Sequence, residues 1–326
     1  MAHIRIMATG GTIASRTGKD GATSAERAEE VAAGLSGRHG YSVRDLTNVN
    51  SFQLRFSDVR GIAEAVREAV ADEGVDGVVI THGTDTMEET AFLLDLVHES
   101  PKPVVFTGAQ RTADSAAADG PANLEEAVAA AAAHQLRGAG VLISFAGQVL
   151  AARGTRKTHT MAANPFSGGV PVAHFIAGTL HATAMPVRPA ALPLPGEDFD
   201  NAQVEIINCA LGTTPDLFTY AVRSGANAIV LAGTGTGNAG AGFAEAVQDA
   251  VRGGCPVILC SRVQSGPVVP VYGAGGGVDL VRAGAIPGGD LGPAQARMLA
   301  ALLTSLPATQ DEILQALTSG TSRSAG

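Results

Sequence analysis

Two short loops place threonine hydroxyls directly after apolar segments that are typical of buried strands. The first loop is TGGTIAS at Thr9–Ser15, and the second is THGTDTMEET at Thr81–Thr90. Loops at the carboxyl ends of adjacent parallel strands share one crevice, where open α/β sheets bind their ligands. We therefore predict that Thr12, Thr84 and Asp85 face one small molecule. The chemistry that this arrangement suggests is nucleophilic attack by a threonine hydroxyl.

Thr12 is the first candidate nucleophile. A threonine hydroxyl attacks only when a base removes its proton or a hydrogen-bond network polarises it. Gly10 and Gly11 precede it and leave backbone amides free to bind an oxyanion, because glycine lets the main chain approach a substrate closely. The alternative is that the Gly-Gly-Thr sequence only turns the chain into its next element.

The second loop offers another hydroxyl beside a carboxylate, at Thr84 and Asp85. Both residues precede the next helix, so we predict them in the crevice. There the carboxylate could hold a substrate amino group or orient a lysine. His82 is interpreted as a packed, hydrogen-bonded histidine rather than a base.

Helical sequence begins after this loop. Thr86 and Glu89 match the pattern of a helix-capping residue and its partner three positions later. Glu88 and Glu89 also place negative charge in the first helical turn, which the helix dipole favours. We predict structural roles for these three residues.

Strand-like and helix-like segments alternate along the chain, which favours parallel βαβ units. In the first part of the chain, the predicted strands are His3–Ala8, Gly77–Thr81, Pro103–Thr107 and Gly140–Phe145. The predicted helices there are Asp58–Glu73, Met87–His98 and the alanine-rich Ala122–Gln135. This order predicts a parallel sheet that presents both threonine loops at one edge.

A proline-rich stretch at Ala182–Asp200 has no helical period and predicts a linker or crossover. Beyond it the predicted strands are Val204–Asn208, Ala228–Ala232 and Pro256–Cys260, and the predicted helices are Pro215–Ser224, Gly242–Gly253, Pro293–Ser305 and Thr309–Thr318. The fold class is therefore α/β. We predict a parallel-sheet N-terminal domain at 1–183, with flavodoxin- or Rossmann-like layers, a linker at 184–203, and a smaller α/β C-terminal domain at 204–326.

The segment Thr17–Gly40 does not fit this alternation. It is polar, contains several glycines, and has helical character only around Ser24–Ala33. Because it directly follows the first threonine loop, it could act as a mobile lid. An ordinary surface excursion is the alternative.

Charge and composition argue against several classes of partner. The formal net charge of −9 repels phosphate backbones, and the densest basic stretch, Arg153–Lys157, holds three positive charges. That is too few for a nucleic-acid footprint. No uncharged apolar run approaches the roughly 20 residues that a membrane helix needs. The cysteines Cys209, Cys255 and Cys260 are predicted to act as small hydrophobic residues.

Other recognisable site patterns are missing from the sequence. There is no GxSxG elbow, no HExxH and no paired-cysteine metal spacing. We therefore predict neither a metal nor a cofactor. The chain enters a strand within its first residues without a leader pattern, so we expect a cytoplasmic protein.

The two threonine loops together resemble the bacterial L-asparaginase family, which are asparaginase/glutaminase amidohydrolases with a threonine nucleophile. The likeness covers most of the chain in the right order. It continues through PVVFTGAQR at Pro103–Arg111, ADGPANLEEAV at Ala118–Val128, GTGTGNAG at Gly233–Gly240, SRV at Ser261–Val263 and QARMLAALL at Gln295–Leu303.

Carried over to this sequence, the resemblance implies that Thr12 attacks the side-chain amide carbon of L-asparagine and forms an acyl-enzyme. Thr84, Asp85 and Lys157 would form a second hydroxyl–carboxylate–amine set across the substrate. Desolvation in a crevice disfavours a charged lysine, whereas a nearby Asp85 favours it. Whether Lys157 is a base or an electrostatic stabiliser therefore stays open.

The resemblance also implies how a free amino acid is bound. Ser51 matches the serine that binds the α-carboxylate, helped by the backbone of Gly11 and Gly83, and Asp85 would hold the ammonium group. Asn238 matches an asparagine that reaches the site from a neighbouring subunit. The implied assembly is a homotetramer built from intimate dimers.

Two departures from the family pattern concern the activation of the nucleophile. Better-known periplasmic members carry a lid tyrosine soon after the nucleophile loop, and Thr17–Gly40 contains none. Those members also contribute a glutamate from the neighbouring subunit, where this chain has Tyr272 and no glutamate. One hypothesis is that Tyr272 enters the site across the interface, and the other is that it is a structural loop residue.

Two alternative functions are open at this stage. Gly235–Gly240 satisfies GxGxxG between a strand and a helix, which suits a nucleotide-binding oxidoreductase. The acidic residue that should follow the next strand is missing, however. A non-catalytic amide-binding module is the second alternative. We predict an L-asparagine amidohydrolase without cofactor and leave open a minor glutaminase activity.

Overall fold

The computed structural model describes residues 1–19 and 21–321. These residues form two compact units, one from Met1 to Leu194 and a second that begins at Pro195. Asp20, in the predicted surface segment, and the predicted C-terminal limit at residue 326 lie outside the described residues. The domain limits of 1–183 and 204–326 stay a prediction.

The N-terminal unit is a mixture of strands and helices. Its strands are β1 (His3–Ala8), β2 (Ser15–Gly18), β3 (Gly21–Ser24), β4 (Gly40–Asp45), β5 (Gly77–Thr81), β6 (Val104–Thr107), β7 (Val141–Phe145), β8 (Gln148–Ala151), β9 (Arg156–Lys157), β10 (Phe166–Ser167), β11 (Pro171–Ile176) and β12 (Thr179–Ala182). Its α-helices are α1 (Ala28–Ala32), α2 (Phe56–Ala71), α3 (Met87–Val97) and α4 (Gly120–Ala132). Short 3-10 helices lie at Thr12–Ala14, Ser51–Gln53 and His134–Leu136.

In the described residues, eight of these strands form the main sheet, in the order β12-β11-β8-β7-β6-β5-β1-β4. The five strands from β7 to β4 run parallel. Every residue of β5, β6 and β7 is buried, as is typical of parallel strands that are covered on both faces. The predicted parallel sheet is confirmed, with strand limits within one residue of those expected.

Alternate residues of the central strands enter two separate cores. Val79 and Val105 pack with Leu124 of α4 on one face of the sheet. Their neighbours Ile80 and Phe106 pack on the other face, against α2 and α3. A side-chain period of two is what a strand geometry requires. These two layers hold the carboxyl ends of β1 and β5 side by side.

Beyond β7 the sheet departs from the predicted parallel order. β8, β11 and β12 join it in antiparallel fashion. The β7–β8 and β11–β12 connections are two-residue turns, Ala146-Gly147 and Ala177-Gly178, with all four φ angles positive. Such turns are typical of hairpins, but their usual sequence signal is Asn-Gly or Asp-Gly. The prediction of parallel units throughout is wrong here, because the Ala-Gly sequence is a weak signal for a hairpin turn.

The polar segment after the first threonine loop is a hairpin followed by a short helix. β2 and β3 pair antiparallel, and α1 is shorter than the predicted Ser24–Ala33 helix. Several hydrogen bonds connect the hairpin and its flanks to neighbouring segments, including the following two. The amide of Thr17 donates to Asp114 Oδ2 at 3.1 Å, and that of Ala25 donates to the Ala14 carbonyl at 2.8 Å. The lid hypothesis for this segment stays a prediction.

The C-terminal unit is a second, smaller α/β layer structure. Its strands are β13 (Val204–Asn208), β14 (Ala228–Gly233), β15 (Val257–Ser261) and β16 (Ile286–Pro287), and its α-helices are α5 (Asp216–Arg223), α6 (Phe243–Arg252), α7 (Gly277–Arg282), α8 (Pro293–Thr304) and α9 (Gln310–Thr321). The strands are parallel and lie in chain order. Helices α5, α6 and α7 share a core on this sheet. The predicted smaller α/β domain is confirmed.

The cysteines of this unit behave as predicted. Cys209, Cys255 and Cys260 are buried free thiols, and burial raises the pKa of Cys209 and of Cys255 to about 11. Thiols of this kind stay protonated and pack as small apolar side chains. Within the described part of the chain, none of the helices is long and apolar enough to span a bilayer.

Candidate active site

Gly11 and Gly83 bring the two threonine loops into direct contact. A Cβ atom added to Gly11 would lie 2.5 Å from the nitrogen and the Cα of Gly83. The φ angle of Gly11 is also 86°, a left-handed conformation that L side chains rarely adopt. Thr12 and Thr84 each follow one of these glycines, so the contact sets both threonines on the same edge of the sheet.

The strand ends beneath the loops are joined by hydrogen bonds. Thr9 donates to the Thr81 carbonyl from its amide at 3.0 Å and from its hydroxyl at 2.9 Å. The amide of His82 donates to the Thr107 carbonyl at 2.9 Å. Because strands β1, β5 and β6 are adjacent and parallel, the predicted shared edge is confirmed.

Thr12 begins a single 3-10 turn and is half-buried. The hydroxyl of Ser15 donates to the Gly11 carbonyl at 2.8 Å, and the Ala14 amide donates to the same carbonyl at 3.0 Å. These bonds shape the turn without using the threonine side chain. Within residues 1–19 and 21–321, no protein group makes a hydrogen bond to the Thr12 hydroxyl.

Lys157 reaches the second loop from the short strand β9. Its Nζ donates to Thr84 Oγ1 at 2.8 Å and to Asp85 Oδ1 at 2.6 Å. The lysine side chain is 17% exposed, whereas the aspartate is 55% exposed. The neighbouring Arg153 lies elsewhere, with its guanidinium 5.7 Å from the centre of the Phe92 ring. The hydroxyl–carboxylate–amine set therefore forms in the expected register, with Lys157.

Glu88 contacts the main chain of the same lysine, a contact that sequence analysis missed. Its carboxylate accepts a hydrogen bond from the Lys157 backbone amide. Burial raises the pKa of the Glu88 carboxyl to about 7, against the lowering effect of that amide. The position of Glu88 in a first helical turn suggested only a dipole role. The pairing depends on a segment 69 residues away, so local pattern held no signal for it.

The structure places Thr86 at the predicted capping position, but the predicted side-chain capping bond is wrong. Thr86 is the N-cap residue of α3, but its side chain makes no capping hydrogen bond. Its hydroxyl instead donates to the Ser51 carbonyl at 3.0 Å. Tertiary contact has thus outcompeted the local capping pattern, and Thr86 ties the second loop to the Ser51 turn.

Ser51 lies against the second loop, close to the predicted site. It opens the 3-10 helix Ser51–Gln53 and is only 3% exposed. A Cβ atom on Gly83 would lie 2.6 Å from Ser51 Oγ. The serine hydroxyl therefore faces the glycine backbone where the two loops meet.

His82 is a packed residue, and that prediction is confirmed. It is fully buried, its Nδ1 lies 2.7 Å from the Gly83 carbonyl, and its ring meets Phe106 edge to face. Burial lowers the pKa of His82 to about 4. The ring is thus neutral at physiological pH, with Nδ1–H as the donor.

Asn238 and Tyr272 belong to the C-terminal unit. Asn238 closes the loop after β14, where its Oδ1 accepts from the Gly277 amide at 3.1 Å and its carbonyl accepts from the Thr234 amide at 2.8 Å. Tyr272 is 61% exposed. The participation of either residue in the site of the N-terminal unit stays a prediction.

The glycine-rich loop that suggested nucleotide binding folds back on itself. Thr234 and Asn238 form an isolated antiparallel bridge inside it. Gly237 is packed, since a Cβ there would lie 2.9 Å from a Val268 methyl group. In the dinucleotide fingerprint the glycines instead bring the backbone to a pyrophosphate at a helix N-terminus. The geometry of this loop gives no support to the oxidoreductase alternative.

The chemical capacity of the N-terminal site follows from these contacts. Two hydroxyls lie on loops that touch, and one of them is bound to an amine that a carboxylate also holds. A cationic amine next to a hydroxyl can stabilise negative charge that develops during acyl transfer. The arrangement suits attack on a small carbonyl compound.

Comparison with known proteins places the chain in one family. Residues 3–187 match the family described as Asparaginase, N-terminal, and residues 203–317 match the Glutaminase/Asparaginase C-terminal domain. A protein named probable L-asparaginase from Deinococcus radiodurans is 36% identical, covering 98% of each chain. L-asparaginase 2 from Bacillus subtilis is 33% identical, over 95% of this chain and 84% of its own.

A solved structure agrees with the sequence relatives. The crystal structure of a probable cytoplasmic L-asparaginase from Campylobacter jejuni superposes with a TM-score of 0.83 and 29% identity, over 97% of this chain and 99% of its own. The relatives named here each cover at least 95% of the chain, which includes both matched regions. The chain belongs to the asparaginase family.

Proposed function

We propose that this chain is an L-asparagine amidohydrolase that releases L-aspartate and ammonia through an acyl-enzyme on Thr12. The observation that carries the proposal is the position of Lys157 Nζ, which contacts both Thr84 Oγ1 and Asp85 Oδ1 beside the junction of the two loops. Family membership supplies the substrate, since the relatives are named L-asparaginases.

The proposed reaction has two steps. In the first, Thr12 Oγ bonds to the side-chain amide carbon of asparagine, the carbon–nitrogen bond breaks, and the hydroxyl proton leaves with the amine as ammonia. In the second, water attacks the acyl carbon, the ester bond to Thr12 breaks, and the hydroxyl is restored. Splitting one difficult displacement into two easier ones is the advantage of a covalent nucleophile.

Lys157 acts in this proposal as an electrostatic stabiliser. Its Nζ donates to both the Asp85 carboxylate and the Thr84 hydroxyl. Because it donates to Thr84 Oγ1, the hydroxyl hydrogen of Thr84 is free to point toward substrate or water. A fixed donor of this kind, aimed at developing negative charge, is typically worth about 3 kcal/mol in the transition state.

The proposed site selects a free amino acid by offering partners for both its ammonium group and its α-carboxylate. Asp85 uses Oδ1 for Lys157, so its second oxygen can hold the substrate ammonium group. The Ser51 hydroxyl and the backbone of Gly11 and Gly83 would bind the α-carboxylate, because they lie together at the loop junction. L-glutamine differs by one methylene, which such a site distinguishes by only about 1–3 kcal/mol.

The proposal extends to assembly as a homotetramer of intimate dimers, with Asn238 and Tyr272 offered to a neighbouring site. Exposed apolar side chains in the C-terminal unit support an association surface, among them Leu217 and Tyr220 on one side of α5. Light scattering coupled to size exclusion should give about four times the 32.8 kDa chain mass. We further propose a cytoplasmic location, supported by the name of the Campylobacter jejuni relative, which cell fractionation would test.

The decisive experiment is ammonia release from L-asparagine and from L-glutamine, with Thr12→Ala and Thr12→Ser beside wild type. We expect release from asparagine, loss in Thr12→Ala and partial retention in Thr12→Ser, which keeps a hydroxyl. Mass spectrometry of acid-quenched wild type should find the aspartyl adduct on the Thr12 peptide. Release that survives in Thr12→Ala would contradict the assigned nucleophile, and no release from wild type would contradict the function.

A further inference from the structure

Lys157 is held at both ends by one short stretch of chain. Thr84 and Asp85 bind its Nζ, and Glu88 binds its backbone amide. Three acceptors within five residues therefore control a side chain that lies about 70 positions further along. Because Glu88 bonds to the main chain of the lysine whose amine holds Thr84, its effect can reach the site through that lysine.

The local structure around Lys157 explains why a second anchor is useful. Strand β9 consists of Arg156 and Lys157 alone and pairs with the equally short β10. A lysine side chain has four rotatable methylenes, so its amine is only as well placed as the main chain that carries it. The Glu88 carboxylate adds a charge-assisted bond at the base of the side chain, which is stronger than a neutral hydrogen bond.

The surroundings of Glu88 make its charge sensitive to pH. The charged groups that face it are Glu89 on its own helix and Arg156 and Lys157 on β9. Burial disfavours the carboxylate, and Glu89 does so too, whereas the two cations and the Lys157 amide favour it. Near neutral pH these opposing effects leave both protonation states accessible.

We propose that Glu88 is a positioning residue for Lys157, fixing the main chain of the lysine so that its Nζ meets Thr84 and Asp85. This inference rests on the proposed function, because the lysine matters to catalysis only if the hydrolysis takes place there. It assigns to the first turn of α3 a role beyond the helix dipole. Glu89, in the same turn with the same charge, provides the matched control.

The first test is steady-state hydrolysis of L-asparagine from pH 5.5 to 9 by wild type, Glu88→Gln, Glu88→Ala and Glu89→Gln. We expect Glu88→Ala to lower kcat by about 10- to 100-fold, the range seen when an orienting contact is removed. KM should change far less, since the proposed role of Glu88 acts on Lys157 and not on the groups proposed to bind the substrate. Glu88→Gln keeps the shape and an acceptor oxygen, so it should retain more activity but lose the change in rate near pH 7.

The second test does not depend on activity. The sequence contains three lysines, Lys19, Lys102 and Lys157, so NMR of protein labelled with [ε-13C]lysine gives few signals, and Lys157→Arg assigns the third. We expect the Lys157 signal of wild type to shift as pH passes through 7, and Glu88→Gln to remove that shift. Glu89→Gln should retain the shift but move it to lower pH, because the charge of Glu89 raises the pKa of Glu88.

The outcomes separate the two proposals. Absence of ammonia release by wild type with a Glu88-dependent Lys157 signal would remove the function and keep the contact. Normal hydrolysis, with Glu88→Ala and Glu88→Gln indistinguishable from Glu89→Gln in rate, pH profile and NMR, would overturn the positioning role. If Glu88→Ala does not fold, the near-isosteric Glu88→Gln decides the question by its pH profile and its lysine signal.

Discussion

Lys157 Nζ lies 2.6 Å from Asp85 Oδ1, although 72 residues separate them in the chain. The pair is asymmetric, because the lysine side chain is 17% exposed and the aspartate 55%. The amine is thus set into the protein, while the carboxylate keeps one side toward solvent. A carboxylate in that position can hold the lysine with one oxygen and meet an incoming ammonium group with the other.

Replacing the lysine tests this arrangement. We expect Lys157→Met to lower kcat for L-asparagine by about 100- to 1000-fold, as for loss of a transition-state donor. Lys157→Arg should recover little, because a planar guanidinium cannot occupy the place of a compact ammonium. Lys102→Met is the control and should keep the wild-type rate. The Lys102 Nζ donates to the carbonyl of Asp72, a residue outside both threonine loops. Equal rates for the two methionine variants would contradict the role.

The contact between Gly11 and Gly83 predicts strict intolerance at the first position. Gly11→Ala combines a positive φ with a Cβ 2.5 Å from Gly83 atoms, so the loops must separate and activity should be lost. Gly178→Ala is a matched control with φ of 75° and open space around the added Cβ. It should cost about 1–2 kcal/mol of stability through backbone strain alone and retain hydrolysis. Full activity in Gly11→Ala would show that the junction is not needed.

A buried ion pair should hold the far end of α3. Arg188 Nε lies 3.0 Å from Asp95 Oδ1, and both side chains are largely buried, at 18% and 9% exposure. Arg188→Ala would leave a buried carboxylate unpaired, which should lower the free energy of unfolding by about 3 kcal/mol. The exposed pair between Arg44 and Glu68 offers a comparison, and Arg44→Ala should cost less than about 1 kcal/mol. Urea unfolding measures both, and equal losses would contradict the prediction.

Glu88 and His82 should affect stability in opposite directions as pH changes. The folded pKa of Glu88 is raised from 4.5 to about 7, so between these two pH values the folded state binds more protons than the unfolded state. The contribution of Glu88 to stability is therefore full below pH 4.5 and is lost as pH rises through 7. The folded pKa of His82 is lowered to about 4, so its contribution is full above pH 6.5 and is lost as pH falls toward 4.

Glu88→Gln separates these effects. Relative to wild type, this variant should become more stable as pH rises from 5 to 8, by at most about 3 kcal/mol for a shift of this size. Glu89→Gln should keep the pH dependence of wild type but move it to lower pH, because the charge of Glu89 raises the pKa of Glu88. Urea unfolding midpoints at several pH values provide the measurement. Parallel curves for Glu88→Gln and wild type would show that Glu88 titrates alike in the folded and unfolded states.

Local sequence was enough to predict the elements around the site. Apolar runs in β1, β5 and β7 identified buried strands, because a strand covered on both faces is predominantly apolar. The glycine-rich turns and the threonines after them marked the edge where a ligand binds. Thr12, Thr84 and Asp85 could be grouped from those patterns alone, since parallel strands end on the same side of a sheet.

Only the tertiary structure decided the contacts between segments that are far apart in sequence. The hydroxyl of Thr86 turns to the Ser51 carbonyl instead of capping its own helix, and Glu88 binds the Lys157 amide instead of serving only the dipole. The antiparallel strands beyond β7 also escaped sequence analysis, because their Ala-Gly turns carry no strong signal. Periodicity records which face of an element is buried. It does not record which distant donor meets which acceptor, because packing of the whole chain makes that choice.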